Sequence, residues 1–149
     1  MVFANTVEAV ESVAKILKRA GMECYQYHKD CSLEDRAKTL VDFQEKGGIF
    51  ACTDSAARGV DIPNVSHVIQ AGYATSAVDF IHRVGRTARA GQYGLLTSMY
   101  TESNRDLVAA LPCEESRIHQ LMWRAFSLKN GKYVCRKITL VDVDEDVIA

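Results

Sequence analysis

Two segments of the chain concentrate residues suited to chemistry on phosphate: Thr53-Asp54-Ser55-Ala56-Ala57-Arg58-Gly59-Val60-Asp61-Ile62-Pro63 and His82-Arg83-Val84-Gly85-Arg86-Thr87-Ala88-Arg89. In the second, Arg86 and Arg89 stand three apart, so a helix or tight turn there points both guanidiniums the same way, toward a phosphate chain they can clamp bidentately. Such a pair spreads the charge that develops in phosphoryl transfer. In the first, Thr53 offers a hydroxyl and a backbone N–H to a phosphate oxygen, a contact that positions a nucleic-acid backbone without reading its sequence. Arg58-Gly59 follows two alanines, so the backbone can approach a ligand closely while the guanidinium pairs with a carboxylate or a phosphate. Asp61, just before Ile62-Pro63, can accept from a ribose hydroxyl. Each residue also has a plainer reading. Thr53 suits a satisfied strand-end hydroxyl, Arg58 and Asp61 suit turns, the arginine pair suits a solvated basic helix end, and His82 suits a core histidine.

The elements that must hold these groups alternate. Met1 to Ala4 is an apolar, strand-like run, followed by Val7, Val10, Val13, Ala14 and Leu17 at helical spacing, with Thr6 as cap and Gly21 as stop. Met22 to Tyr27 reads as a strand, Ser32-Leu33-Glu34-Asp35 as a capping box, and a helix then runs to the Gly47-Gly48 stop. Ile49 to Thr53 and His67 to Ile69 read as buried strands, and Ser76 with Asp79 caps a short helix through His82. Leu95 to Tyr100 makes a further strand and Glu102 to Leu111 a further helix. Strands alternating with helices imply an open, mostly parallel sheet covered on both faces. In such a sheet ligands bind beyond the carboxyl ends of the strands, where Thr53-Asp54, Gly72 and the loop after Thr6 fall.

Both clusters, in this order and at this separation, resemble motifs V and VI of the second, C-terminal RecA-like domain of DEAD-box ATP-dependent RNA helicases. Phe3-Ala4-Asn5-Thr6 looks like motif IV, and the likeness continues through Gly94 and the strand after it; His67 to Gly94 looks most like plant organellar members. The resemblance implies a three-layer RecA-like α/β fold, an open parallel sheet with helices on both faces. It implies RNA contacts from Asn5, Thr6, Arg36, Thr53, Asp54 and Arg58, with Arg36 and Phe43 standing where motif IVa places an arginine and a phenylalanine. Phe43 also reads as a core residue. Toward ATP it implies Asp61 on the ribose, Gly59 beside it, Arg86 and Arg89 on the γ-phosphate, and His82 bridging to the partner domain. The chain departs from the family pattern in three places: Lys29 replaces the usual glycine in His28-Lys29-Asp30, Gly72 the usual aspartate, and Ala74 a frequent proline.

A length of 149 residues, 48% of them hydrophobic and 25% charged, fits a globular domain with a core and excludes disordered and collagen-like classes. No apolar run approaches the roughly 18 residues that cross a membrane, and the opening lacks a signal-peptide pattern, so the expectation is a soluble, intracellular protein, in a chloroplast or other organelle by resemblance. Five cysteines without C-x-x-C spacing suggest reduced, packing thiols. A net charge of -1 confines any RNA contact to a local patch.

Residues 1–111 are expected to form the helicase C-terminal domain and 112–149 an atypical extension. That extension reads as a hairpin around Lys129-Asn130-Gly131-Lys132, as a strand added to the domain, or as an unrelated continuation. The chain contains neither a G-x-x-x-x-G-K-[ST] loop nor an Asp-Glu-Ala-Asp run. The expected partners are therefore RNA and a first RecA-like domain that brings Mg2+ to the ATP, with this chain monomeric and by itself inactive. Two other classes stay open: a stand-alone RNA-binding or decoy fragment, and a protein-interaction module with vestigial motifs.

Overall fold

The computed structural model describes residues 1–89, 93–106 and 136–142. Six parallel strands form one sheet: β1 (Val2–Phe3), β2 (Cys24–Tyr27), β3 (Ile49–Cys52), β4 (His67–Gln70), β5 (Gly94–Tyr100) and β6 (Arg136–Asp142). Their spatial order is β2-β3-β1-β4-β5-β6. The helices are α1 (Val7–Arg19), α2 (Leu33–Lys46), α3 (Asp54–Ala57) and α4 (Ala77–Val84).

Chain direction explains the layers. From β1 the chain steps outward to β2, then returns across the sheet through β3, β4 and β5. Right-handed crossovers in opposite directions put their helices on opposite faces. Val10 and Ala14 of α1 accordingly pack with Val2, Ala4, Cys24 and Ala51 on one face. On the other, Phe80 and Val84 of α4 join Phe3, Phe50, Ile62, Val68 and Leu96, with Leu40 and Phe43 of α2 laid against them. Strand alternation separates the two sets, since Val2 and Phe3 point to opposite sides. Phe43 takes its core role here, 5.1 Å from the Phe50 ring, which in turn lies 5.2 Å from Tyr27.

The caps are those expected from the residues. Thr6 Oγ1 accepts from Ala9 N, Ser32 Oγ from Asp35 N and Ser76 Oγ from Asp79 N. Two elements differ from their sequence-based bounds. Helix α4 runs two residues past His82, because Gly85 keeps helical dihedrals and its N–H still reaches Ile81 O at 2.8 Å. At Glu102 the chain makes a 3-10 turn to Asn104, closed by the Asn104 side chain folding back on Thr101, and runs directly into α-helix at Arg105 and Asp106. The rest of the helix expected through Leu111 lies outside the described residues, as do the Lys129–Lys132 turn and the boundary after Leu111. Within the 112–149 region, Arg136–Asp142 adds a strand in register with Gly94–Tyr100. Among the described residues no helix is long and apolar enough to cross a membrane.

Candidate phosphate and nucleic-acid site

Because every strand is parallel, the segments that follow β1, β2, β3 and β4 emerge along one edge of the sheet. They carry Asn5-Thr6, His28-Lys29-Asp30, Thr53-Asp54 and Gly72-Tyr73 respectively. Arg36 follows in the first turn of α2. The sheet thus gathers residues from 68 positions of sequence onto one rim.

The arginine pair is brought together by a turn rather than by helix. After α4 ends at Val84, Arg86 N bonds Arg83 O at 3.1 Å and Thr87 N bonds Val84 O at 3.2 Å, which folds the chain tightly before Arg89. Both guanidiniums then reach the segment after Gly59, whose φ of +79° makes the bend that a glycine tolerates best. Arg86 Nη1 donates to Val60 O at 2.6 Å, and Arg89 Nη1 donates to Asp61 Oδ1 at 2.9 Å while its Nε donates to Gly85 O at 2.7 Å. Arg86 is half-buried. Burial first, and then the neighbouring Arg89 charge, hold its guanidinium below the ordinary arginine value. Among the described residues the one carboxylate paired with them, Asp61, is 86% exposed and so a weak counter-ion. Two crowded cations with one solvent-screened anion leave room for an anionic ligand.

Thr6 and Arg58 are exposed but engaged locally: Thr6 caps α1, and Arg58 Nη2 pairs with Asp79 Oδ1 at 3.0 Å. A hydrogen bond from Ser76, and then the Arg58 pair, hold Asp79's carboxyl below its usual range. Thr53 is buried, with its hydroxyl 3.4 Å from Ser55 Oγ. Arg36 keeps a buried Nε that has no hydrogen-bond partner among the described residues. Lys29 is exposed, in the segment after β2 on the same rim. His82 is exposed on α4, which removes the core-histidine reading.

Asn5 and Asp54 are instead joined through a residue to which the sequence reading gave no role. Arg83 is 1% exposed, and all five of its N–H donors are used. Nε and Nη2 fork onto the two Asp54 oxygens at 2.7 and 2.6 Å. Nη2 also donates to Asn5 Oδ1 at 2.7 Å, and Nη1 to Gln70 Oε1 at 3.1 Å and Gly72 O at 2.6 Å. The guanidinium lies 5.3 Å from the Phe3 ring centroid. Two sequence signals pointed here. Phe80, Arg83 and Val84 share one helical face, so the arginine had to be buried with its apolar neighbours. Gln70 closes a strand with a buried amide that must find partners; it binds Arg83 and Ser98 Oγ, the latter at 2.8 Å.

Comparison with known proteins places the chain in a family. Residues 1–91 match the family described as "Helicase conserved C-terminal domain". The chain is 65% identical over 131 residues to "DEAD-box ATP-dependent RNA helicase 22" of Arabidopsis thaliana, an alignment covering 88% of this chain and 22% of that protein. The chain therefore spans about a fifth of that curated relative. Among solved structures, E. coli DEAD-box protein SrmB bound to regulator of ribonuclease activity A superposes with a TM-score of 0.68 at 27% identity, over 99% of this chain and 75% of that one. Mss116p DEAD-box helicase domain 2 bound to an RNA duplex gives 0.64 at 26% identity, over 98% and 52%. With a matched family model over more than half its length and the motif residues on one rim of a RecA-like sheet, this chain belongs to the helicase conserved C-terminal domain family, in its DEAD-box RNA helicase branch.

Proposed function

We propose that this chain works as the second half of an ATP-dependent RNA helicase, closing with a first RecA-like domain over ATP and a single RNA strand. The observation that carries the reading is the Arg86–Arg89 pair, folded onto Val60–Asp61, where among the described residues the exposed Asp61 is the one carboxylate paired with it. A γ-phosphate held by the first domain with its Mg2+ supplies the missing anion. Asp61 takes the ribose hydroxyls, Gly59 leaves space beside them, and exposed His82 meets the first domain.

On the RNA side, Thr6, Arg36, Thr53 and Arg58 hold successive phosphates, and the unpartnered Nε of Arg36 is the donor that gains most. Lys29 supports them as a charge in place of the close backbone approach that a glycine permits. Asp54, an anion whose two oxygens are both taken by Arg83, contributes by holding structure rather than by touching phosphate. ATP hydrolysis and bending of one RNA strand then separate short duplexes.

The test is ATP hydrolysis with and without single-stranded RNA, for the chain alone and mixed with a separately made first domain of a relative. The expected result is RNA-stimulated turnover in the mixture only, falling by about 10³-fold or more in Arg86→Ala, the scale of a lost arginine finger. Turnover that Arg86→Ala leaves unchanged overturns the assignment. No turnover in a mixture whose components are folded by circular dichroism favours a binding fragment without catalysis.

A further inference from the structure

Among the described residues β2 is an edge strand, and an open cleft of about 780 Å³ runs beside it. Its lining draws on Lys18 of α1, on Tyr25 and Gln26 of β2, and on Cys31, Ser32 and Thr39 at and in the start of α2. Helices α1 and α2 cover opposite faces of the sheet, so the cleft opens across the β2 edge. It gives access to one thiol of the described residues in particular: Cys31 is partly exposed, whereas Cys24, which also lines the cleft, is buried, as is Cys52.

The turn leaving β2 gives that thiol a partner. Cys31 N donates to His28 O at 3.2 Å, which sets the Cys31 sulfur 3.4 Å from His28 Nε2. The thiol's own hydrogen reaches Gln26 O across 4.0 Å, a weak bond from a weak donor. His28 is 5% exposed, and its other ring nitrogen, Nδ1, is buried with no hydrogen-bond partner among the described residues. A buried N–H without an acceptor is the rarer way to leave such an atom, so the ring's hydrogen belongs on Nε2, directed at the sulfur. A buried polar group left partly unsatisfied calls for an explanation, a catalytic or redox role among them. Neither side chain takes part in the phosphate and RNA contacts above.

We infer that Cys31 is a site of thiol–disulfide exchange with small disulfides, and that His28 steadies its sulfur as negative charge forms there. Cys31 Sγ gives its proton to water and attacks one sulfur of a disulfide R–S–S–R. The S–S bond breaks, Cys31–S–S–R forms, and the departing RS⁻ takes up a proton. Cys31 is oxidised and the departing half is reduced, so the disulfide is the sole co-reactant. The step needs neither RNA nor ATP and stands whether or not the helicase reading does.

The test treats the folded, full chain with excess bis(2-hydroxyethyl) disulfide and follows adduct formation by peptide mapping, which separates Cys31 from the other four cysteines. This probe is uncharged, so the charges of Lys29, Asp30 and Asp35 around the sulfur do not set its rate. The reference is a synthetic peptide of residues 26–36, which has the same neighbours in sequence without the fixed geometry. The expected result is a rate at Cys31 about tenfold above the peptide's, below the roughly 10²–10³-fold effect of a donor sealed from water. In His28→Leu the rate should fall back to about that of the peptide. Leucine removes the unpartnered Nδ1 together with the Nε2 donor, so the fold loses little.

A thiol that is merely accessible reacts no faster than the peptide, and that outcome overturns the inference. So does a His28→Leu chain of unaltered circular dichroism that reacts as fast as wild type. If His28→Leu does not fold, the wild-type chain against the peptide decides.

Discussion

Gly94→Ala is the substitution whose cost the structure defines best. Gly94 opens β5 directly against the turn that carries the arginine pair. A Cβ there would press directly on Thr87 Oγ1 and lie 2.7 Å from Ala88 N and 2.8 Å from Ala88 Cβ. Two of these three atoms cannot rotate away, so the backbone must move. Overpacking of this kind costs about 1–3 kcal/mol. Thr87 is fully buried and its hydroxyl donates to Val65 O, a bond that the same displacement weakens at about 1 kcal/mol. Together the loss is about 3 kcal/mol, or roughly 10 °C in Tm for a chain of this size. The assay is urea unfolding followed by circular dichroism, with Gly21→Ala as control. Gly21 also has a demanding backbone, φ +76°, but open space around its Cβ, so its substitution costs only the left-handed strain of about 1 kcal/mol. If Gly94→Ala is no more destabilising than Gly21→Ala, a steric clash at Gly94 is refuted. A shifted Ala88 also carries Arg89 away from Asp61, so under the proposed function the variant should lower RNA-stimulated ATPase of the two-domain mixture beyond the loss of folded protein.

Two further outcomes follow from individual groups. Cys52 is fully buried, and burial pushes its thiol up to about 12. The folded chain therefore keeps a proton that the unfolded chain releases near the ordinary thiol value. Its contribution is intact below that value and is lost as pH rises toward 12, by up to about 4 kcal/mol; Cys52→Ala should flatten alkaline unfolding between pH 9 and 11, and an unaltered profile refutes this. Ser76→Ala removes the α4 cap and should cost about 1 kcal/mol in chemical unfolding. It should also let Asp79's carboxyl titrate nearer its usual range, read by NMR. Asp79's contribution is present above the unfolded carboxyl value and is lost as pH falls, so the variant should show less acid sensitivity.

Much of this architecture is legible in the chain. Caps at Thr6, Ser32 and Ser76, the Gly21 and Gly47 stops, and period-two against period-3.6 patterns are local signals, and local interactions set the elements they describe. The alternation of those elements implies a parallel sheet, and a parallel sheet gathers its loops at one end. Thr53-Asp54, Gly72 and the loop after Thr6 were therefore legible at three predicted strand ends, and the fold brings them to one rim. The type and spacing of Arg86 and Arg89 were enough to suggest phosphate.

What the tertiary structure decided is which of those polar groups face outward and which face each other. Arg83, Arg86 and Arg89 are alike as letters. Only packing shows that Arg83 is sealed on the apolar face with five acceptors, whereas Arg86 and Arg89 turn toward Val60 and Asp61. Asn5 and Asp54 read as ligand contacts because their partner is 78 and 29 residues away, beyond any local pattern. A Cβ at Gly72 would likewise lie 3.0 Å from Asn5 Nδ2 only because β1 and β4 are neighbours in the sheet. A buried charge must find its counterparts wherever the fold brings them, and sequence spacing carries no record of that distance.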